Sequence, residues 1–524
     1  MVQASACSNL CNFLFERSLL IQRALTLCTT LLICLLTRTL WAAESYTPFT
    51  GEKSTWHEGF DRFDFIMDEA TLAMSPLKAP DGEKFGVRDP AKGQRRCIVI
   101  VPKKIADGQP WSWQGCYWDH QPQAEIELLR RGFHIAYISA NATLKPDKTW
   151  DAWFAYLTDQ HGLSKKPAFI GMSRGGEYAY TFATTHPDNI SCIYADNPGG
   201  NPEIIAKLGQ LASRDIPLLH VCGSIDPILN EFSNPIEAIY QQLSGRISVM
   251  IKEGAGHHPH SLRDPTPIAD FIEQSVNAKG VAAPNYLAGR ITRGNFYSSE
   301  ESYRDFPKEG LHITCRGPLF SPCYNRYTFD LAGVEGPITV IEPQTPAKQM
   351  PWVLRSSFVP RDSTVDLELL HKGFHIITGP VPFNADGPIR GHWDTVYKHL
   401  TEHGFSKHPV MEGTGHSGGD AYAWAIANPD KVSCIYAVNP ILRSTMSKEP
   451  ILENLAPLAK ANIQLLHLCG TDDPALEANT VVLEQRYKSL NGRFELIMKE
   501  GEGHFIRPSD AKPIVDFITQ NAKP

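Results

Sequence analysis

A serine hydroxyl becomes a strong nucleophile only when a neighbouring base removes its proton, and the base works best when a carboxylate holds its ring. Ser173 lies in Phe169-Ile-Gly-Met-Ser-Arg-Gly-Gly-Glu177, where an apolar run gives way to Gly171-Met-Ser-Arg-Gly175 and then to a helical pattern carrying Tyr178 and Phe182. Strand, G-x-S-x-G turn and helix together lift a serine hydroxyl clear of a sheet and aim helix N-terminal N–H groups at any anion formed there. An acid and a base follow in order: Asp226 in Gly223-Ser-Ile-Asp-Pro227 and His257 in Gly254-Ala-Gly-His-His258. Neutral histidine is suited to proton removal near pH 7. Each residue also has a plain structural role open to it: a glycine-rich turn, an aspartate capping the turn before Pro227, a satisfied loop histidine.

The elements that must position these groups are legible as alternation. Strand patterns fall at 63–66, 96–101, 110–118, 133–139, 168–171, 191–195, 217–222 and 247–252, with helical patterns between them, as at 123–131 and 150–161. Alternating β and α implies an α/β fold with a mostly parallel twisted sheet and helices on both faces. Ser173, Asp226 and His257 follow the fifth, seventh and eighth of these strands, at the carboxyl ends where such sheets carry their sites.

The chain then repeats itself. Arg131-Gly-Phe-His-Ile135 recurs as Lys372-Gly-Phe-His-Ile376, Ser191-Cys-Ile-Tyr-Ala195 as Ser433-Cys-Ile-Tyr-Ala437, and Lys252-Glu-Gly-Ala-Gly-His257 as Lys499-Glu-Gly-Glu-Gly-His504. A period of a whole domain means two copies of one fold. The expected division is a leader at 1–43, a first domain at 44–280, a linker at 281–310 and a second domain at 311–524; residues 75–94 are a surface insertion that the second half lacks. In the second half Asp473 and His504 match Asp226 and His257, but Gly415 stands where Ser173 stood. A G-x-S-x-G survives at Gly415-His-Ser-Gly-Gly419, with Ser417 two residues late, on the helix. Either that elbow was rebuilt with a shift or this half is inactive, and the misplacement favours an inactive half that packs against the first.

Order and motifs of both halves resemble the α/β-hydrolase superfamily over nearly all of each half. The resemblance implies two tandem α/β-hydrolase domains, Ser173 as nucleophile, Asp226 as acid and His257 as base, and no cofactor. Asp196, after the sixth strand, is an alternative acid that some members use there, or equally a residue that shapes the substrate pocket. One oxyanion donor is expected to be the Arg174 N–H, and the other to come from Cys116-Tyr-Trp-Asp-His120, with Trp118 the first choice. The Arg174 guanidinium either serves the oxyanion or a substrate carboxylate, or pairs with Glu177. Ser-Arg at the elbow resembles glucuronoyl esterases, exported enzymes that cleave esters of sugar acids. Trp111, Trp113, Tyr117, Trp118, Trp150 and Trp153 suit a carbohydrate or aryl ester at the mouth, or a core. His258 and His260 lack a matching carboxylate or cysteine spacing, so no metal is expected.

A chain of 524 residues exceeds one core, and a net charge of -7 without a long basic run argues against nucleic acid as partner. The expected partner is a small-molecule or carbohydrate ester. Arg17 and Arg23, the apolar run at 24–36 and the small residues near Ala42-Ala43 read as a signal peptide, hence a secreted or periplasmic protein, with a membrane anchor at 24–36 the alternative. No later stretch is long and apolar enough to span a bilayer. Cys192, Cys222, Cys434 and Cys469 sit in apolar strands as core thiols, and Cys315 and Cys323 suit a small disulfide loop. The competing functions are a peptidase of the same fold, or a carbohydrate-binding protein with vestigial hydrolase domains.

Overall fold

The structure, a computed structural model, describes residues 46–79, 91–141, 143–277, 283–298, 302–306, 310–319, 321–355, 364–379, 390–443, 450–506 and 510–523. The leader lies outside these residues, as does much of the expected insertion at 75–94.

Two sheets organise the chain. The first is built from β1 (Lys53–Trp56), β2 (Phe60–Asp68), β3 (Met74–Leu77), β4 (Gln94–Val101), β5 (Trp111–Gly115), β6 (His134–Ile138), β7 (Ala168–Met172), β8 (Cys192–Asp196), β9 (Leu218–Gly223) and β10 (Ile247–Lys252). The main path runs β1-β2-β4-β6-β5-β7-β8-β9-β10. From β6 onward neighbours are parallel, with Gly115 opposite Gly171 and Met172 opposite Asp196. The carboxyl ends of these parallel strands open on one side of the sheet, where the loops carrying Ser173, Asp226 and His257 begin.

Side-chain alternation explains why β7 is buried throughout. Phe169 enters one core with Trp113, Phe182 and Leu208, while Ala168 and Ile170 enter the opposite core with Tyr194, Leu219 and Leu128. The aromatic residues divide in the same way. Trp111, Trp113, Trp150 and Trp153 are fully buried, and Trp113 stacks on Phe169 at 4.9 Å between ring centroids. The tryptophans are therefore a core and do not line a substrate mouth. Of the six aromatics set against an ester substrate, Tyr117 alone is exposed.

The second sheet comprises β11 (Ile291–Tyr297), β14 (Cys323–Phe329), β15 (Ile338–Ile341), β16 (Trp352–Arg355), β17 (His375–Thr378), β18 (Val410–Thr414), β19 (Cys434–Val438), β20 (Gln464–Gly470) and β21 (Phe494–Lys499). Its order, β11-β14-β15-β17-β16-β18-β19-β20-β21, repeats the path of the first sheet strand for strand. Equivalent residues do equivalent work: Trp111 Nε1 donates to Ser164 O at 2.7 Å and Trp352 Nε1 to Ser406 O at 2.8 Å.

The stretch expected to be a linker is instead structural. Within 281–310, β11 opens the second sheet, whereas β12 (Ser302–Phe306) and β13 (Leu311–Arg316) form a hairpin that returns to the first sheet, β13 lying antiparallel to β10. Glycine and polar residues such as Gly294 and Asn295 obscure the strand, yet they are there for contact. Asn295 Nδ2 donates to Asp215 Oδ1 at 2.9 Å and to Ser244 O at 3.1 Å, and a Cβ on Gly294 would lie 2.6 Å from Ser244 Cβ. The expected Cys315–Cys323 bridge is absent. The two thiols stand on strands of different sheets and neither is in a disulfide, nor are the four buried core cysteines. Among the described residues no helix is long and apolar enough to cross a membrane.

Candidate active site

Ser173 sits at the turn between β7 and the helix Arg174–Thr185 with φ 50° and ψ −121°, a conformation that a non-glycine residue adopts at a cost of order 1–3 kcal/mol. Close packing enforces the turn. A Cβ on Gly171 would fall 2.1 Å from Gly175 O, and one on Gly175 would fall 2.3 Å from Gly115 O, so only glycines let strand and helix approach this closely. Ser173 N donates to Asp196 O at 2.9 Å, and Ser173 O accepts from Gly176 N and Gly199 N at 2.9 and 2.8 Å. The elbow is thereby tied to the loop after β8.

His257 Nδ1 meets Asp226 Oδ2 at 2.7 Å, with the carboxylate side chain 3% exposed. A buried carboxylate at that distance holds the ring with Nε2 as the basic nitrogen. In this state the Ser173 hydroxyl makes no hydrogen bond to the imidazole, a contact that in such sites often closes only around substrate.

Asp196 proves to belong elsewhere. It accepts from His260 Nδ1, Ser261 N and Tyr194 Oη at 2.7, 2.7 and 2.9 Å. Burial pushes its pKa up, but the Lys252 ammonium and His260 outweigh that and hold the carboxyl below its ordinary range. The two carboxylates each hold a different histidine, Asp226 meeting His257 and Asp196 meeting His260.

Arg174 is exposed and has no salt bridge to Glu177, whose Oε1 accepts from Asn201 Nδ2 at 2.8 Å. Trp118 is buried against Trp56 and Tyr137, with an arginine, Arg62, 5.8 Å above its ring. The loop residue at the elbow is Cys116, whose Cβ lies 3.7 Å from a Cβ built on Gly175. Cys116, Tyr117, Asp119 and Gln121 all have positive φ, so this loop turns sharply away from β5.

Asn197 is a positioning residue that motif reasoning missed. Its amide donates to His257 O at 3.0 Å and its oxygen accepts from Gly223 N at 2.9 Å, joining the loops after β8, β9 and β10. Asn439 repeats this, donating to His504 O at 2.7 Å and accepting from Gly470 N at 3.1 Å. The signal was the Asn-Pro that follows β8 and β19 in both halves.

In the second unit Gly415 has φ 55° and ψ −126°, close to the values at Ser173. His504 Nδ1 meets Asp473 Oδ1 at 3.0 Å, and a Cβ placed on Gly415 would lie 3.3 Å from His504 Nε2. Elbow, base and acid are thus assembled around a missing side chain. Ser417 occupies the place of Gly175, is buried, and donates to Thr414 O at 2.8 Å while accepting from Thr414 N at 2.9 Å. It caps the turn.

Strand path, elbow and the order of serine, aspartate and histidine on β7, β9 and β10 now agree. Both units have the α/β-hydrolase fold. No family model matches the chain, and no curated protein matches it. Similar solved structures include Est1E from Butyrivibrio proteoclasticus, at 11% identity over 37% of this chain and 95% of that one, with a TM-score of 0.29. The S-formylglutathione hydrolase FrmB from Staphylococcus aureus has 16% identity over 43% of this chain and 96% of its own, with a TM-score of 0.26. A putative dipeptidyl aminopeptidase IV from Bacteroides ovatus has 14% identity over 43% of this chain, which spans 35% of that one, with a TM-score of 0.29.

Two cavities lie away from this site. Volumes of about 530 and 410 Å³ are lined by Pro217, Arg246 and Cys323, and so open at the amino end of β9, across the sheet from Ser173.

Proposed function

We propose that the first unit is a serine hydrolase that cleaves a carboxylic ester, and that the chain is exported by its leader. The observation that carries the reading is the His257–Asp226 pair at 2.7 Å beside a serine held in the elbow conformation. Ser173 Oγ attacks the carbonyl while His257 Nε2 takes its proton, and Asp226 stabilises the imidazolium that forms. The N–H groups of Arg174 and Tyr117, which make no hydrogen bond in this state, receive the developing oxyanion. Tyr117 takes the role first expected of Trp118. His257 then returns the proton to the leaving alcohol, and water repeats the cycle on the acyl-enzyme.

The free guanidinium of Arg174 favours an ester that carries a carboxylate near the scissile bond. The buried tryptophans withdraw the argument for a carbohydrate-stacking mouth. The second unit, with glycine at 415 and Ser417 engaged by backbone, is proposed to be non-catalytic. A fluorophosphonate probe tests this. Labelling that disappears in Ser173→Ala and persists in Ser417→Ala is expected; an unlabelled wild-type protein refutes the hydrolase reading. A panel of acyl esters, uronate methyl esters and peptides then separates esterase from peptidase.

A further inference from the structure

Beside the triad stands a second group of imidazoles that the hydrolytic mechanism leaves unused. His120 arrives from the loop after β5, and His258 and His260 from the loop after β10. One ring nitrogen from each lies within 4.8 Å of the others, and among the described residues no other group of His, Cys, Asp and Glu converges in this way. In sequence His120 stands more than a hundred residues from its partners, which hid the set; spacing arguments look for ligands on one segment.

We propose that His120, His258 and His260 form a binding site for a divalent transition-metal ion of the Zn²⁺ class. Three neutral imidazoles with a fourth position open to water is a donor set zinc accepts, at Zn–N distances of about 2.0–2.1 Å. Tetrahedral ligands on one ion stand about 3.4 Å apart at those bond lengths, so a closing movement of about an ångström suffices. Neither of the other two rings is locked in a core, since His258 is exposed and His120 half-buried.

The third ring is already held as a ligand should be. His260 is buried, its Nδ1 donates to Asp196 Oδ1 at 2.7 Å, and its backbone N donates to Gln121 Oε1 at 2.7 Å. Carboxylate, histidine and metal in series is the common support for such an ion, because the outer hydrogen bond sets the tautomer and raises the basicity of the free nitrogen. Here that leaves Nε2 of His260 as the donor. Burial and the neighbouring rings push the pKa values of His120 and His258 below the ordinary histidine value. The site adjoins the triad, the His257 ring centroid lying 5.0 Å from that of His260, yet His257 spends its Nδ1 on Asp226 and is outside the set.

The experiment uses the full chain, freed of metal with a chelator and titrated with Zn²⁺ against a chromogenic competitor, with Co²⁺ as a spectroscopic probe. One equivalent is expected to bind, with visible Co²⁺ bands of a four-coordinate nitrogen site. His258→Ala, at an exposed position that the fold does not need, should weaken binding at least tenfold, and His120→Ala likewise. Asp196→Asn should weaken it by about 10- to 100-fold. Ser173→Ala should bind as wild type does. Absence of stoichiometric binding, or unchanged affinity in both His258→Ala and His120→Ala, overturns the proposal. Loss of binding in His257→Ala with retention in His258→Ala also overturns it, since the ion would then belong to the triad histidine.

Discussion

Replacing Asp226 and Asp196 separately by asparagine tests which carboxylate serves the base. The Asp226→Asn change keeps the volume and removes the charge that meets the imidazolium. With charge centres about 4 Å apart and an effective dielectric constant of about 20, that charge is worth about 4 kcal/mol to the protonated ring. At 1.36 kcal/mol per factor of ten, the loss is about a thousandfold in the rate of any step that protonates His257. The amide also disfavours the tautomer that leaves Nε2 basic, bringing the expected loss to about 10³–10⁴-fold. Asp196 lies beyond His260, with Lys252 beside it, so its removal should slow the same step less than about tenfold. The assay is the second-order rate of fluorophosphonate labelling of Ser173 on folded, purified protein, with hydrolysis of an activated acyl ester in parallel. Circular dichroism checks the Asp196→Asn sample, because that carboxylate is buried and its loss weakens the fold. If Asp196→Asn proved the slower of the two, the triad assigned here would be wrong.

Gly415→Ser in a Ser173→Ala background should restore labelling above the Ser173→Ala baseline, because His504 and Asp473 already face that position; labelling at baseline with the fold intact would show that more than the hydroxyl is missing. Gly171→Ala should destabilise by about 3 kcal/mol or more in urea unfolding, since its Cβ would meet backbone at 2.1 Å. Arg174→Ala should raise KM for esters bearing a carboxylate while leaving neutral esters within about threefold, checked by steady-state kinetics on matched pairs. His220, buried between Tyr180 Oη and Ser233 Oγ, has its pKa pushed down by burial to about 3. Its neutral form is native, so the unfolded chain takes up a proton first as pH falls below about 6.5, and stability is lost at about 1.4 kcal/mol per pH unit from there towards pH 3. His220→Gln removes that proton, so its stability deficit at pH 7.5 should shrink by that slope on acidification, measured by urea midpoints across the range.

The hydrolytic order was legible because β and α alternate strongly and glycines mark the elbow twice. All eight core strands of the first unit were visible as apolar runs. What escaped was set by distance and by contact. β11 looked like a linker because Gly294 and Asn295 serve a neighbour and not a core. His120 was silent because its partners lie on another loop. The tryptophans were ambiguous because composition does not say which face of a sheet a side chain takes, and β5 turns Trp111 and Trp113 inward. The contrast between Ser173 and Gly415 was readable from alignment alone, yet only the backbone angles show that the second elbow kept its form after losing its hydroxyl.

The β12–β13 hairpin has a consequence for how the chain comes apart. Polypeptide enters the second sheet at β11, crosses back to seal the edge of the first at β10, and only then completes the second from β14 onward. The two units are laced together, and no single cut frees both with whole sheets. A cleavage before β11 strips the hairpin from the first unit and bares the β10 edge to self-pairing. A cleavage after β13 takes β11 from the second. Melting should therefore be one shared event, and a shortened active unit would have to carry the hairpin with it.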